Sequence, residues 1–137
     1  MSSDLDRLNR RFDAVLRNVR EVVQPALLKG ANEIADMQRM LAPEDTGDLK
    51  DSITVTPPGG TTPPYSQPGG SRTVGENQAV VTVGNTDVRY PHFVEFGTSV
   101  TPAQPFFWPG YRLRRKRALD RIKRSIRKAV RTGWDSP

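Results

Sequence analysis

Residues 57–70, PPGGTTPPYSQPGG, hold nine Pro or Gly in fourteen positions. Pro lacks a backbone donor and Gly carries the largest entropic cost of ordering, so neither sustains a helix or a central strand. The segment is expected to be a long loop or a hairpin tip, and regular structure must be built on either side of it. On its flanks, Ser52-Ile53-Thr54-Val55-Thr56 and Gln78-Ala79-Val80-Val81-Thr82-Val83-Gly84 read as strands. They predict an antiparallel hairpin over 52–84 around the Pro/Gly loop.

Upstream the pattern is helical. Leu5, Leu8, Phe12, Val15, Val19 and Val22 recur at a 3-4-3-4-3 spacing, one apolar stripe on a helix. Pro25 is expected to end or kink that helix, or to open the next one. A second helical pattern runs from Ala26 to about Leu41, with Leu27, Ala31, Ile34, Ala35 and Leu41 inward, and Ala42-Pro43 closes it. Asp45 or Thr46 is a plausible cap for a short turn through Leu49. Downstream, Tyr90 to Phe96 fits a short helix or a strand, and Gly97 fits a turn that a side chain would resist. A last helix is expected over 109–131, with Leu119, Ile122, Ile126 and Ala129/Val130 inward. These elements make a single domain over 1–137 of class α+β: a small antiparallel sheet packed by N-terminal helices (1–41) and a long C-terminal helix.

Charge is unevenly placed along the chain. Residues 1–110 carry 10 Lys/Arg and 13 Asp/Glu, whereas residues 111–137 carry 11 Lys/Arg and 2 Asp. The excess positive charge therefore sits in the last helix, on Arg114, Arg115, Arg117, Arg121, Arg124 and Lys128 among others. Such a face meets an acidic partner, either nucleic acid or protein. Aromatics are absent from Leu113 to Arg131, so that stretch offers no base stacking.

Little in the chain marks catalysis or cofactor binding. There is no cysteine, hence no disulfide framework and no thiolate zinc site. No apolar run approaches the ~20 residues that span a bilayer, and Met1 to Arg11 lacks the apolar core of a secretory signal. The protein is expected to be soluble and made in a cytoplasm. His92 is the only histidine, and nothing in the spacing of Asp87 and Glu95 brings them to it as co-ligands. Nucleophile elbows, phosphate loops and paired-histidine helices are missing. No catalytic, metal-binding or cofactor-binding residue is expected. Glu95 stands alone in the apolar, aromatic run Phe93-Val94-Glu95-Phe96-Gly97-Thr98. A buried carboxylate must be paired or hydrogen-bonded, so it is read as an anchor to an Arg or to backbone amides.

Three blocks in order carry a resemblance. They are Ala42-Pro43-x-x-Thr46-Gly47-x-Leu49-x-x-Ser52-Ile53, then Val81-x-Val83-Gly84 leading through Tyr90 to Phe93-Val94-Glu95-Phe96-Gly97-Thr98, then Pro102-Ala103-x-Pro105-Phe106 before the last helix. In this order the chain resembles the head–tail joining or tail-completion proteins of long-tailed bacteriophages, of the lambda-like siphophage type. It departs from the family pattern at Pro91-His92 and at Phe107-Trp108-Pro109-Gly110, and its 57–70 loop is unusually rich in Pro and Gly.

The resemblance implies a non-enzymatic structural protein of the virion neck or tail top, assembled in the host cytoplasm. It implies a homo-oligomeric ring, six copies or else twelve, meeting a stopper, a tail terminator and the tail tube, with nonspecific contact to channel DNA and no membrane. Thr46, Gly47, Leu49, Glu95, Phe96, Gly97, Thr98, Pro105 and Phe106 become its fold and assembly motif. The Pro/Gly loop is expected to order on contact with an adjacent ring. The alternative is a basic nucleic-acid-binding protein that uses the C-terminal helix.

Overall fold

A computed structural model of the chain describes residues 2–44 and 47–135. Two helices dominate it: α1, Ser2–Leu41, and α4, Phe107–Trp134. At 1.5 Å per residue they are about 60 and about 42 Å long. They lie antiparallel, because Gln38 meets Phe107, Gly30 meets Ala118, Asn18 meets Ala129 and Phe12 meets Trp134. Between them in sequence come α2 (Asp48–Asp51), β1 (Thr54–Thr56), β2 (Val80–Thr82) and α3 (Pro91–Phe96). The class is α+β, as the sequence pattern predicts.

Pro25 neither ends the helix nor opens a new one. Pro25 sits inside α1, which is one helix rather than two. Pro removes a hydrogen bond and crowds the preceding turn, at a cost of ~3 kcal/mol in a helix interior. Here both sides of Pro25 are fastened by tertiary contact. Asn18 Nδ2 donates to the Ala129 carbonyl at 3.4 Å on one side, and Gly30 touches Ala118 on the other. Packing over long stretches offsets the local penalty, as it does for most helices in water.

The seam between the helices matches the expected stripe only in part: Ala129 is buried, and Ile122 and Ile126 are half-buried, Ile122 beside Gly30 of α1. Ala118, Ala129 and Gly133 are buried on α4, facing Ala14, Ala26 and Ala31 of α1, while Leu119 and Val130 are each 41% exposed. The reason is close approach. A Cβ on Gly133 would lie 2.6 Å from the Val15 Cα, and one on Gly110 would lie 2.9 Å from the Gln38 Cα. Small residues let the backbones meet and push the larger aliphatics to the flanks.

β1 and β2 form a two-stranded antiparallel sheet in the register Thr54–Thr82, Val55–Val81, Thr56–Val80. Two strands alone are marginal, and these pack on the C-terminal half of α1. Ala35, Ala42, Leu49, Ile53, Val83, Val88, Phe106 and Phe107 form the core beneath them.

Within the chain, the 57–70 segment is tied by hydrogen bonds to residues 70–83. Gly59 N donates to Val74 O at 3.0 Å, Val74 N to Gly60 O at 2.8 Å, and Thr62 N to Arg72 O at 2.9 Å. Gln67 and Val83 exchange both backbone bonds. Thr62 Oγ1 donates to the Gly70 carbonyl and accepts from Arg72 N, both at 2.8 Å. The insertion thus folds back as a narrow, bridged extension of the hairpin, with Thr62, Ser66 and Val74 buried.

Candidate functional site

The aromatic corner is built from α3 to the start of α4. Pro91 occupies the first turn of α3, where its missing donor has no consequence. Gly97 ends the helix at φ 77°, ψ 176°, a region essentially reserved for glycine. Its N–H donates to Phe93 O at 2.8 Å. A Cβ there would sit 2.8 Å from Ala103 N and 3.0 Å from Thr101 O. Thr98 then makes a compact turn: its N–H donates to Thr101 O at 2.9 Å, and its hydroxyl accepts from Val100 N and Thr101 N. Gln104 N returns to Val94 O at 2.8 Å. The chain is therefore folded back along α3 before α4 begins.

Glu95 fastens that return. Its Oε1 accepts from Phe106 N and Phe107 N, each at 2.9 Å, and its Oε2 accepts from Trp108 N at 3.3 Å. These donors belong to the first turn of α4, which no side chain of its own caps. The first N–H groups of a helix have no internal partner, and its N-terminus favours negative charge. Glu95, itself buried, supplies both the acceptors and the charge from a separate helix. Of the two partners the sequence left open for Glu95, the backbone amides are the ones it takes.

The remaining motif residues fall around this anchor. Phe106 is fully buried and Leu49 joins the same core cluster, so the first and third blocks meet inside the molecule. Gly47 precedes α2 at φ 82°. Phe96, Thr98 and Pro105 are exposed. Thr46, like the cap candidate Asp45, lies outside the described residues. His92 is exposed, its ring 4.9 Å from Phe96 and 6.0 Å from Phe93. The three form an exposed aromatic patch on the corner, and Tyr90, also exposed, precedes it at the start of α3. Among the described residues no group of three or more His, Asp or Glu side chains is placed to hold a metal ion.

Two further residues organise the site. Ser52 Oγ donates to Leu49 O at 2.7 Å and accepts from Gly84 N at 3.1 Å, which ties the first block to the second. Gln38 Nε2 donates to Phe107 O at 2.8 Å, which fixes α4 to α1. Ser52 stood inside a motif but gave no sign of its partner. Gln38 stood at a polar position within an apolar helix face, a signal that a buried polar group needs a partner.

The six basic positions divide into two groups. Arg121 pairs with Glu33 of α1, and Arg114 lies half-buried beside Glu33 and Asp36. Arg121 therefore helps to hold the helix pair. Arg115, Arg117, Arg124 and Lys128 are exposed, and Arg112, Lys116, Lys123, Arg127 and Arg131 extend their surface, interrupted by Asp120.

A family profile described as "Bacteriophage HK97-gp10, putative tail-component" matches residues 6–97. The match runs from the first turns of α1 to Gly97 and includes the first block and all of the second but Thr98; the third block and α4 follow it. No curated protein and no solved structure matches the chain. The matched span holds the helix that floors the fold, the hairpin and the Glu95-bearing α3, and by it the chain belongs to the HK97-gp10-like family of phage tail components.

Proposed function

We propose that this tail component is a structural protein of the virion neck or tail top. It forms a ring, most simply of six copies, that completes the tail and helps join it to the head. The observation that carries the reading is the corner: Glu95 spends its whole carboxylate on α4 amides, so its buried charge positions an exposed aromatic patch. Rigid patches of this kind lose little entropy on assembly. The basic outer face of α4 sets orientation against acidic neighbours, a role in which charge governs register more than affinity. Stopper, tail-terminator and tail-tube proteins are the partners this position implies. No described helix is long and apolar enough to cross a membrane.

The test is imaging of particles from phage that lack the protein. Heads and tails that accumulate separately are expected, and fully joined, infectious particles would overturn the reading. The exposed basic residues of α4 support a second reading, nucleic-acid binding. Tight, saturable DNA binding by the isolated protein, falling steeply with salt, would favour that reading.

A further inference from the structure

β2 is fully paired along one edge only. Gln67 and Val83 exchange both backbone bonds, at 2.8 and 3.0 Å, so Val83 turns its N–H and C=O away from β1. Bonding direction alternates along an antiparallel strand. Thr82 and Val80 therefore face their β1 partners Thr54 and Thr56, and Val81 faces the other edge, as Val83 does. Beside Val83 that edge is covered by Gln67. Pro68 follows with no N–H to offer, and the chain then turns back on itself, Gly70 N donating to Ser66 O. Among the described residues no backbone bond comes to Val81 from this side. An open strand edge is a template for another strand.

Val81 also lines an open groove of about 370 Å³ between β2, α1 and α4. Ile34 of α1 and Leu119 and Ile122 of α4 give the groove apolar walls. Its charged lining consists of Arg72 and Arg115, with no Asp or Glu among the described residues that border it. Neither arginine makes an ion pair among the described residues, although Arg115 also lies over the Tyr111 ring. An unpaired strand edge, apolar walls and two cations without a counter-charge thus share one groove.

We propose that this groove receives an extended acidic segment of a neighbouring tail protein, which adds as a strand beside Val81 and brings carboxylates to Arg72 and Arg115. Strand addition takes its affinity from main-chain bonds and its selectivity from alternate side chains. The segment therefore alternates apolar residues, set against α1 and α4, with acidic ones. A nucleic acid would answer the two arginines but not the N–H and C=O of a strand edge. A second copy of this chain does not supply the segment either, because none of its described acidic residues lies in a strand. The proposal rests on the reading that the protein joins other tail proteins, and it needs no ring.

Leu119 lines the groove and is 41% exposed, which suits it to a photo-cross-linking test. Particles carrying Leu119→benzoylphenylalanine are irradiated, and the covalent product is identified by mass spectrometry. An acidic, apolar segment of a different tail protein is expected. A product with another copy of this chain overturns the choice of partner. Particles that contain the protein but yield no product overturn docking in the groove and leave the neck or tail-top reading standing. Particles without the protein sink that reading and the proposal together. Two further readouts bear on the strand and on the charge. The Val81 N–H should exchange ~10-fold more slowly in particles than in the isolated protein; equal rates overturn strand addition. Arg72→Glu with Arg115→Glu should lower the yield of the covalent product ~10-fold at an unchanged urea midpoint. An undiminished yield overturns the acidic character of the segment.

Discussion

The two long helices begin in opposite circumstances. The start of α4 is anchored in the core, where Glu95 takes the amides of Phe106, Phe107 and Trp108. Phe106 and Phe107 sit in the core beside it. The first turns of α1 form an arm that carries Asp4 and the exposed Leu5 and Leu8, ahead of the Arg11 and Phe12 contacts with Trp134 of α4. A free stretch of about ten residues is marginal as a helix by itself, so the arm is helical because the packed remainder of α1 propagates into it. One N-terminus has its polar and apolar groups satisfied within the chain. The other leaves its apolar face unused. The first kind of helix start fixes a fold, and the second is available to a neighbour.

The sharpest way to break the first half of that comparison is Gly97→Val. Backbone strain in the glycine-only region costs ~1–3 kcal/mol, and the displacement forced at Ala103 and Thr101 costs ~1–3 more. Against the ~5–15 kcal/mol of a typical domain, the variant should lose much of its folded population and shift its urea midpoint strongly downward. A wild-type midpoint would mean that the corner does not depend on this turn.

Glu95→Gln comes next. The amide keeps the shape and one acceptor but loses the charge and half of the acceptor capacity, so a buried N–H is left short. A loss of ~1–3 kcal/mol in urea unfolding is expected, with far-UV circular dichroism close to wild type. No loss would show that the α4 amides find other acceptors. The start of α4 would then be set by Phe106 and Gln38 alone.

How far the sequence discloses this fold depends on where each decision is made. The helix period, the strand flanks and the glycine turn are local properties, and they were legible. The continuity of α1 through Pro25 was not, because contacts on both sides of the proline outweigh a local rule. The α4 seam misled for a related reason. Ala129 and Ile122 lie where the helix period puts them, but the contact also runs through Ala118 and Gly133, which carry little hydrophobic signal, while Leu119 and Val130 carry a strong one and sit at the margin. Glu95 was readable as a carboxylate in need of donors. That the donors lie eleven to thirteen residues ahead was not, since only the folded return of Gly97 to Gln104 brings them there. The Pro/Gly extension owes its order to bonds with Val74, Arg72 and Val83 rather than to any propensity of its own.

The smallest expected effect lies at a second glutamate, placed as Glu95 is not. Glu44 is exposed beyond the end of α1 and pairs with Lys50 of α2. The hydrogen bond from Lys50, and then its charge, hold the Glu44 carboxyl below the usual carboxylate value of 4.5. A depressed folded-state value contributes stability that is present above the unfolded value and is lost as pH falls through the folded one. Because the pair faces solvent, salt screens it and its contribution is slight. Lys50→Met should return the Glu44 titration, followed by NMR of its side-chain carboxyl, upward to the ordinary carboxylate range. The stability curves of the variant and wild type should converge on acidification. An unmoved titration would mean that the ion pair does not form in solution. The same residue type would then matter to this fold only where it is buried and turned toward a helix end.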